Sequence, residues 1–196
     1  MYNGDGDVFW DKERIIAAYE IPEAIEGDPY EREPLEADKK KLGYDRETGE
    51  YITLWEEKLR YPYKTKIAST LVVITNQREL NFKLKLDKDL NGGESFCWNG
   101  QNIPKILWSI LGISKDSPQG KKASKWHDIL LYKKEEYLAD LREFYPDTTV
   151  GEYRRLTTLI YRQLLKNLEV NTVKANIMAG AVGAWQFVSP QWWGVK

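Results

Sequence analysis

Apolar and polar residues alternate most regularly where Leu80, Phe82, Leu84 and Leu86 interleave with Asn81, Lys83 and Lys85, the period-2 pattern of a strand with one buried face. The β-branched run Ser69–Thr75 (STLVVIT) precedes it, and Asn76-Gln77-Arg78 separates the two, so the pattern predicts an antiparallel pair. Residues 44–51 carry hairpin turn chemistry, with Gly49 available for a positive φ. From Ile103 onward the spacing becomes helical. It predicts helices over residues 104–111, 121–133, 135–144, 150–168 and 172–187, with Tyr153, Leu156, Ile160, Leu164 and Leu168 on one face of the fourth. Strands followed by helices argue for an α+β fold. At the N-terminus, residues 8–19 suit a short helix, and Pro22, Pro29 and Pro34 then stop any regular element. The stretch 20–38 is acidic and proline-punctuated, so residues 1–40 read as an extended acidic N-terminal arm and residues 41–196 as a single α+β domain.

Composition narrows the class. A chain of 196 residues with 42% hydrophobic residues and eight Trp has enough apolar surface for one sizeable core and is not a disordered protein. No run of 18 apolar residues occurs, because the most apolar stretch, 177–188, is interrupted by Gly180, Gly183 and Gln186; no membrane span is expected. Asp5, Asp7 and Asp11 stand where a signal peptide would be basic. A single cysteine, Cys97, excludes an intrachain disulfide, and a single histidine, His127, leaves too few ligands for a structural zinc site. The net charge of -1 gives no overall attraction to nucleic acid, yet the charge is divided. Residues 1–57 hold 17 acidic against 7 basic residues, net -10, and residues 58–196 hold 13 against 22, net +9. Such asymmetry points either to an acidic part lying on the basic body or to two parts facing different partners.

Three groups of residues could carry chemistry. Asp87, Asp89 and Asn91 with Gly92 match the opening of a calcium loop, but Trp98 occupies the twelfth position, where a bidentate Glu belongs; a polar turn between strands fits better, and no metal or cofactor is expected. Asn91-Gly92-Gly93-Glu94 lacks the Gly-Lys-Ser/Thr of a phosphate loop, there is no Gly-x-Ser-x-Gly elbow, and Cys97 between Phe96 and Trp98 reads as a small buried hydrophobe. His127 and Asp128 sit beside the apolar stripe Ala123, Trp126, Leu130 and Leu131. The spacing favours a buried polar pair, with the imidazole oriented by a carboxylate, over a general base at work in catalysis. Near the C-terminus the small residues Ala175, Ala179, Gly180, Gly183 and Ala184 allow close approach of another element, and Trp185, Phe187, Trp192 and Trp193 follow. These aromatics suit core packing, with a partner interface as the sharper alternative.

The run from Phe96 to Trp108, FCWNGQNIPKILW, and the later Ala123-x-x-x-His127-Asp128-x-x-Leu131-Tyr132 resemble a phage and prophage family, domain-of-unknown-function family 1353, over about residues 80–190. Its pattern runs approximately F-x-x-D-G-A-S-I-P-R-x-x-W, a loop, then A-x-x-H-D-x-L-Y. Gly100, Pro104, Trp108, His127, Asp128 and Tyr132 agree with it, whereas Asn99, Asn102 and Lys105 replace the family's Asp, Ser and Arg. The retained residues suit a structural latch joining the strand-to-helix loop to the helical core. The resemblance implies phage origin and transfers no chemistry.

From that context, the divided charge and the lack of a catalytic constellation, the expected role is a virion-associated structural or interaction protein in a phage tail or its attachment region, made in the host cytoplasm. Its expected partners are other virion proteins or copies of itself, reached through the acidic arm, with Phe9, Trp10, Tyr19 and Tyr30 as anchors and Trp185, Trp192 and Trp193 as a second aromatic surface. No nucleic acid partner is expected. The alternatives are a phage hydrolase directed at cell wall and using His127 with Asp128, or a small inhibitor of a host protein whose acidic arm mimics nucleic acid.

Overall fold

Among the described residues, strands come first and helices follow, as the change from period 2 to helical spacing implies. The computed structural model describes residues 7–9, 13–23, 31–32, 63–88, 94–98 and 117–188. Within them lie β1 (Asp7–Phe9), β2 (Glu13–Pro22), β3 (Glu31–Arg32), β4 (Tyr63–Thr65), β5 (Ser69–Thr75), β6 (Glu79–Leu84), β7 (Asp87–Lys88) and β8 (Glu94–Trp98). Helices α1 (Pro118–Tyr132), α2 (Lys134–Phe144), α3 (Val150–Asn167) and α4 (Thr172–Val188) follow. One antiparallel sheet has the order β1-β2-β5-β6 and a second the order β3-β4-β8-β7. The hairpin anticipated at Asn76-Gln77-Arg78 forms: β5 and β6 pair with Val73 opposite Leu80 and Leu71 opposite Phe82. Thr75 closes the turn, its Oγ1 accepting from the backbone N–H groups of Gln77 and Arg78 at 3.2 and 2.9 Å. The predicted hairpin at 44–51 and the helix at 104–111 lie outside the described residues.

The N-terminal segment departs from the expected helix and arm. Residues 13–22 are a strand, not part of a helix, and β2 is an inner strand between β1 and β5, so an independent arm does not extend through them. Ile15 and Ala18 are fully buried. A break in register between Ile15 and Ala17 shifts the alternation by one, which puts inward residues three apart and imitates a helical repeat. The bulge is clamped from the helical layer. Gln163 of α3 donates from its Nε2 to the Ile16 carbonyl at 3.1 Å, and Asn167 donates from its Nδ2 to the Ala18 carbonyl at 2.9 Å. These bonds employ carbonyl groups at and beside the disturbed ladder and tie the strand to the helix.

Helix α3 is the axle of the helical layer, packed on β1 and β2 and against both α1 and α4. Thr149 starts it with a full capping box: its hydroxyl accepts from the Glu152 N–H, and the Glu152 carboxylate accepts from the Thr149 N–H. Tyr153, Leu156, Ile160, Leu164 and Leu165 are buried, each contributing roughly 1.5–3 kcal/mol by leaving water. The chain leaves the helix through Glu169, a non-glycine residue at φ 63°, and the Val170 N–H reaches back to the Leu165 carbonyl at 3.0 Å. On α4, Ala175, Met178, Ala179 and Val182 are buried; a methyl group added at Gly183 would stand 3.4 Å from the Thr158 methyl, whereas Gly180 has open space beside it. Helix α2 lies along the free edge of β6, where Tyr137 donates its hydroxyl to the Lys83 carbonyl at 2.8 Å. Lys133, between α1 and α2, donates to the Lys85 carbonyl at 2.7 Å.

Candidate functional site

Helix α1 begins with Ser117 as its cap and Pro118 in its first turn, and every residue from Ala123 to Leu130 is buried. A helix enclosed on all sides must satisfy its polar side chains inside the protein. Ser124 does so locally, donating to the Lys121 carbonyl at 3.1 Å. His127, Asp128 and Lys125 reach other elements or one another.

His127 lies between all three long helices. Its Nδ1 is 3.3 Å from Asp128 Oδ1, its Nε2 meets the Nε2 of Gln186 on α4, and its ring stands edge-on to Tyr161 of α3 with centroids 5.6 Å apart. An amide nitrogen can only donate, so His127 Nε2 accepts and the ring proton resides on Nδ1, directed at Asp128. Gln186, His127 and Asp128 thus form one directional chain of hydrogen bonds. Burial, reinforced by the Asp128 charge, pushes the Tyr161 phenol far above its ordinary range, and its hydroxyl has no hydrogen-bond partner among the described residues. Gln186 is 59 positions away in sequence and was not foreseen as a partner; no local pattern marks it.

Lys125 was not singled out by sequence either. Its side chain is 1% exposed and its ammonium is paired with Glu20 of β2, with Ser69 Oγ 3.5 Å away. Burial pulls the Lys125 pKa down, against the opposing pull of Glu20. A second buried carboxylate, Glu13, sits at the start of β2. It accepts from the Tyr145 hydroxyl and is 3.4 Å from Arg78 Nε, whose guanidinium lies over the Tyr145 and Phe144 rings at 4.8 and 5.4 Å. Burial and the Glu13 contact hold the Tyr145 hydroxyl well above its usual pKa. Both acidic residues therefore join β2 to the rest of the chain. Among the described acidic residues of the N-terminal segment, Glu13 and Glu20 thus meet basic groups of the same chain.

The other sequence candidates are dispersed. Tyr132 is exposed, its ring edge-on to Phe96 at 6.3 Å. Asp87 opposite Ser95 and Lys88 opposite Glu94 make β7 and β8 an antiparallel pair, with Asp89 and Asn91 in the loop outside the described residues. Phe9 and Trp185 are placed by their backbones in β1 and α4, and Tyr19 faces outward from β2 at 40% exposure. Trp10, Tyr30, Asn99, Gly100, Asn102, Pro104, Trp108, Trp192 and Trp193 lie outside the described residues. Among the described residues there is no group of three His, Cys, Asp or Glu placed to share a metal ion, and no helix is long and apolar enough to cross a membrane.

Comparison with family models, with curated proteins and with solved structures finds no match. Function is therefore read from the residues themselves.

Proposed function

We propose that the chain is a non-catalytic structural and interaction component of a bacteriophage particle, in the tail or its attachment region. The observation that carries the non-catalytic part is the enclosure of His127: both ring nitrogens are engaged by Asp128 and Gln186, and the ring is buried against Tyr161. A general base must reach a substrate proton at hydrogen-bond distance, and this imidazole presents no open nitrogen. The phage assignment is supported by the motif resemblance of residues 96–108 and 123–132. An interaction role is further supported by large apolar side chains left on the surface of β2, namely Ile16, Tyr19 and Ile21.

The experiment has two parts. Mass spectrometry of purified particles should find the chain at a fixed copy number, and its absence from particles overturns the virion assignment. His127→Ala should lower stability by about 1–3 kcal/mol, because Gln186 and Asp128 lose a buried partner. A His127→Ala protein that keeps its full stability and loses cell-wall hydrolysis shown by the unmodified chain would establish the hydrolase instead.

A further inference from the structure

Helix α4 has two apolar faces. Ala175, Met178, Ala179 and Val182 are buried in the core. On the opposite side Val173, Ile177, Gly180 and Ala184 recur at intervals of four, three and four residues, about 17 Å of helix, and all four are exposed. Val173 is 64% and Ile177 41% exposed, and a methyl group added at Gly180 would meet nothing within 4 Å, so the middle of the row is open as well as its end. The spacing is that of a coiled-coil seam, here turned to solvent.

Cations border this seam on both sides. Lys174 stands on one flank, and Arg162 of α3 reaches the other, donating from its Nε to the Asn176 side-chain oxygen. Arg155, Arg162 and Lys166 succeed one another along the outward side of α3. Burial and the neighbouring Arg162 charge both pull the Lys166 pKa down. Like charges four residues apart weaken a helix, so this row costs α3 stability rather than supplying it. Among the described residues the two helices hold one acid, Glu152, and its carboxylate already accepts from the Thr149 N–H and hydroxyl at 2.8 Å.

The seam selects a helix as partner, and its flanks select the partner's charge. Small side chains at Gly180 and Ala184 let a second helix approach to an axis separation of about 8 Å, with Val173 and Ile177 as anchors. A second copy of α4 would bring Lys174 and Arg162 against cations in either orientation, and like-charge repulsion opposes that pairing. We infer that α4, with the Arg162 side of α3, is a docking surface for an acidic amphipathic helix of another protein, whose apolar stripe lies on Val173, Ile177, Gly180 and Ala184 and whose carboxylates face Lys174, Arg162 and Lys166. This surface is separate from the His127 cluster, and the inference stands whether or not the chain is part of a virion.

The probe is a fluorescent synthetic helix with Leu at alternating intervals of four and three residues and Glu on both flanks, titrated with the full chain and followed by anisotropy. A matched peptide with Lys in place of every Glu is the control, and phosphatidylglycerol vesicles and duplex DNA are run beside them at the same salt. The Glu peptide should bind, less tightly as salt is raised, and the Lys peptide should not. Ile177→Asp should weaken binding by about tenfold or more with an unchanged circular dichroism spectrum, since position 177 is exposed. Lys174→Glu should weaken it by about fivefold, through loss of one ion pair and gain of a repulsion. A Glu peptide that fails to bind overturns the inference. So does binding shared equally by the Lys peptide, binding indifferent to Ile177→Asp, or tighter binding to the vesicles or the DNA than to the Glu peptide.

Discussion

Glu20→Ala isolates the ion pair between β2 and α1. Removing the carboxylate leaves the Lys125 ammonium 1% exposed, beside the neutral Ser69 Oγ at 3.5 Å. Breaking a buried pair from one side costs about 3–5 kcal/mol, against a total stability of about 5–15 kcal/mol for an ordinary domain. For a chain of this size the melting temperature should fall by roughly 6–20 °C. The loss should depend on pH in a defined direction. Lysine titrates near 10.5 when unfolded, and burial places the folded value lower. Across that window the unfolded chain binds more protons, so stability rises with pH. Without Glu20 the folded value drops further, and the penalty should shrink as pH is raised from 7 towards 10. Urea unfolding followed by tryptophan fluorescence at several pH values measures both effects. Replacing the pair together, Glu20→Leu with Lys125→Met, should restore most of the stability, because an apolar pair avoids desolvating two charges. A loss below about 1 kcal/mol at pH 7, or one independent of pH, would refute the reasoning.

The remaining predictions concern tyrosines, one helix end and the N-terminal strand. Tyr161→Phe should be neutral or stabilising, since its buried hydroxyl has no partner among the described residues, whereas Tyr153→Phe should cost about 0.5–1.5 kcal/mol through loss of the 2.7 Å bond to the Leu130 carbonyl; chemical denaturation of the two variants gives the contrast. Glu169→Gly should raise stability by about 1 kcal/mol, because φ 63° strains a residue with a Cβ, and a melting temperature unchanged or lower would contradict it. Deleting residues 1–22 should abolish cooperative unfolding in calorimetry, since it removes an inner strand together with Glu13 and Glu20.

What could be read from the sequence was what obeys an undisturbed period. The β5–β6 pair and the four described helices keep a steady repeat of 2 or about 3.6, and their ends carry ordinary signals such as Thr149 with Glu152. β2 escaped because one extra residue at its bulge shifts Ile15 and Ala18 onto the same face, and because Glu13 and Glu20 point inward where a strand normally places apolar groups. The burial of His127 followed from the stripe around it, but Gln186 and Tyr161 are brought to it only by the packing of α3 and α4. Lys125 carries no sequence sign at all, since a lysine beside a tryptophan usually lies in water.

The clamp between α3 and the bulge of β2 also orders events in time. Gln163 grips a carbonyl 147 positions earlier in the chain, and Asn167 one 149 positions earlier. During synthesis at about 5–20 residues per second, β2 leaves the ribosome roughly 7–30 s before the helix that holds it. In that interval Ile15 and Ala18 have no helical layer above them, and the strand is open to chaperones or to a neighbouring nascent chain. The sheet can therefore take its final form only after translation has passed residue 167.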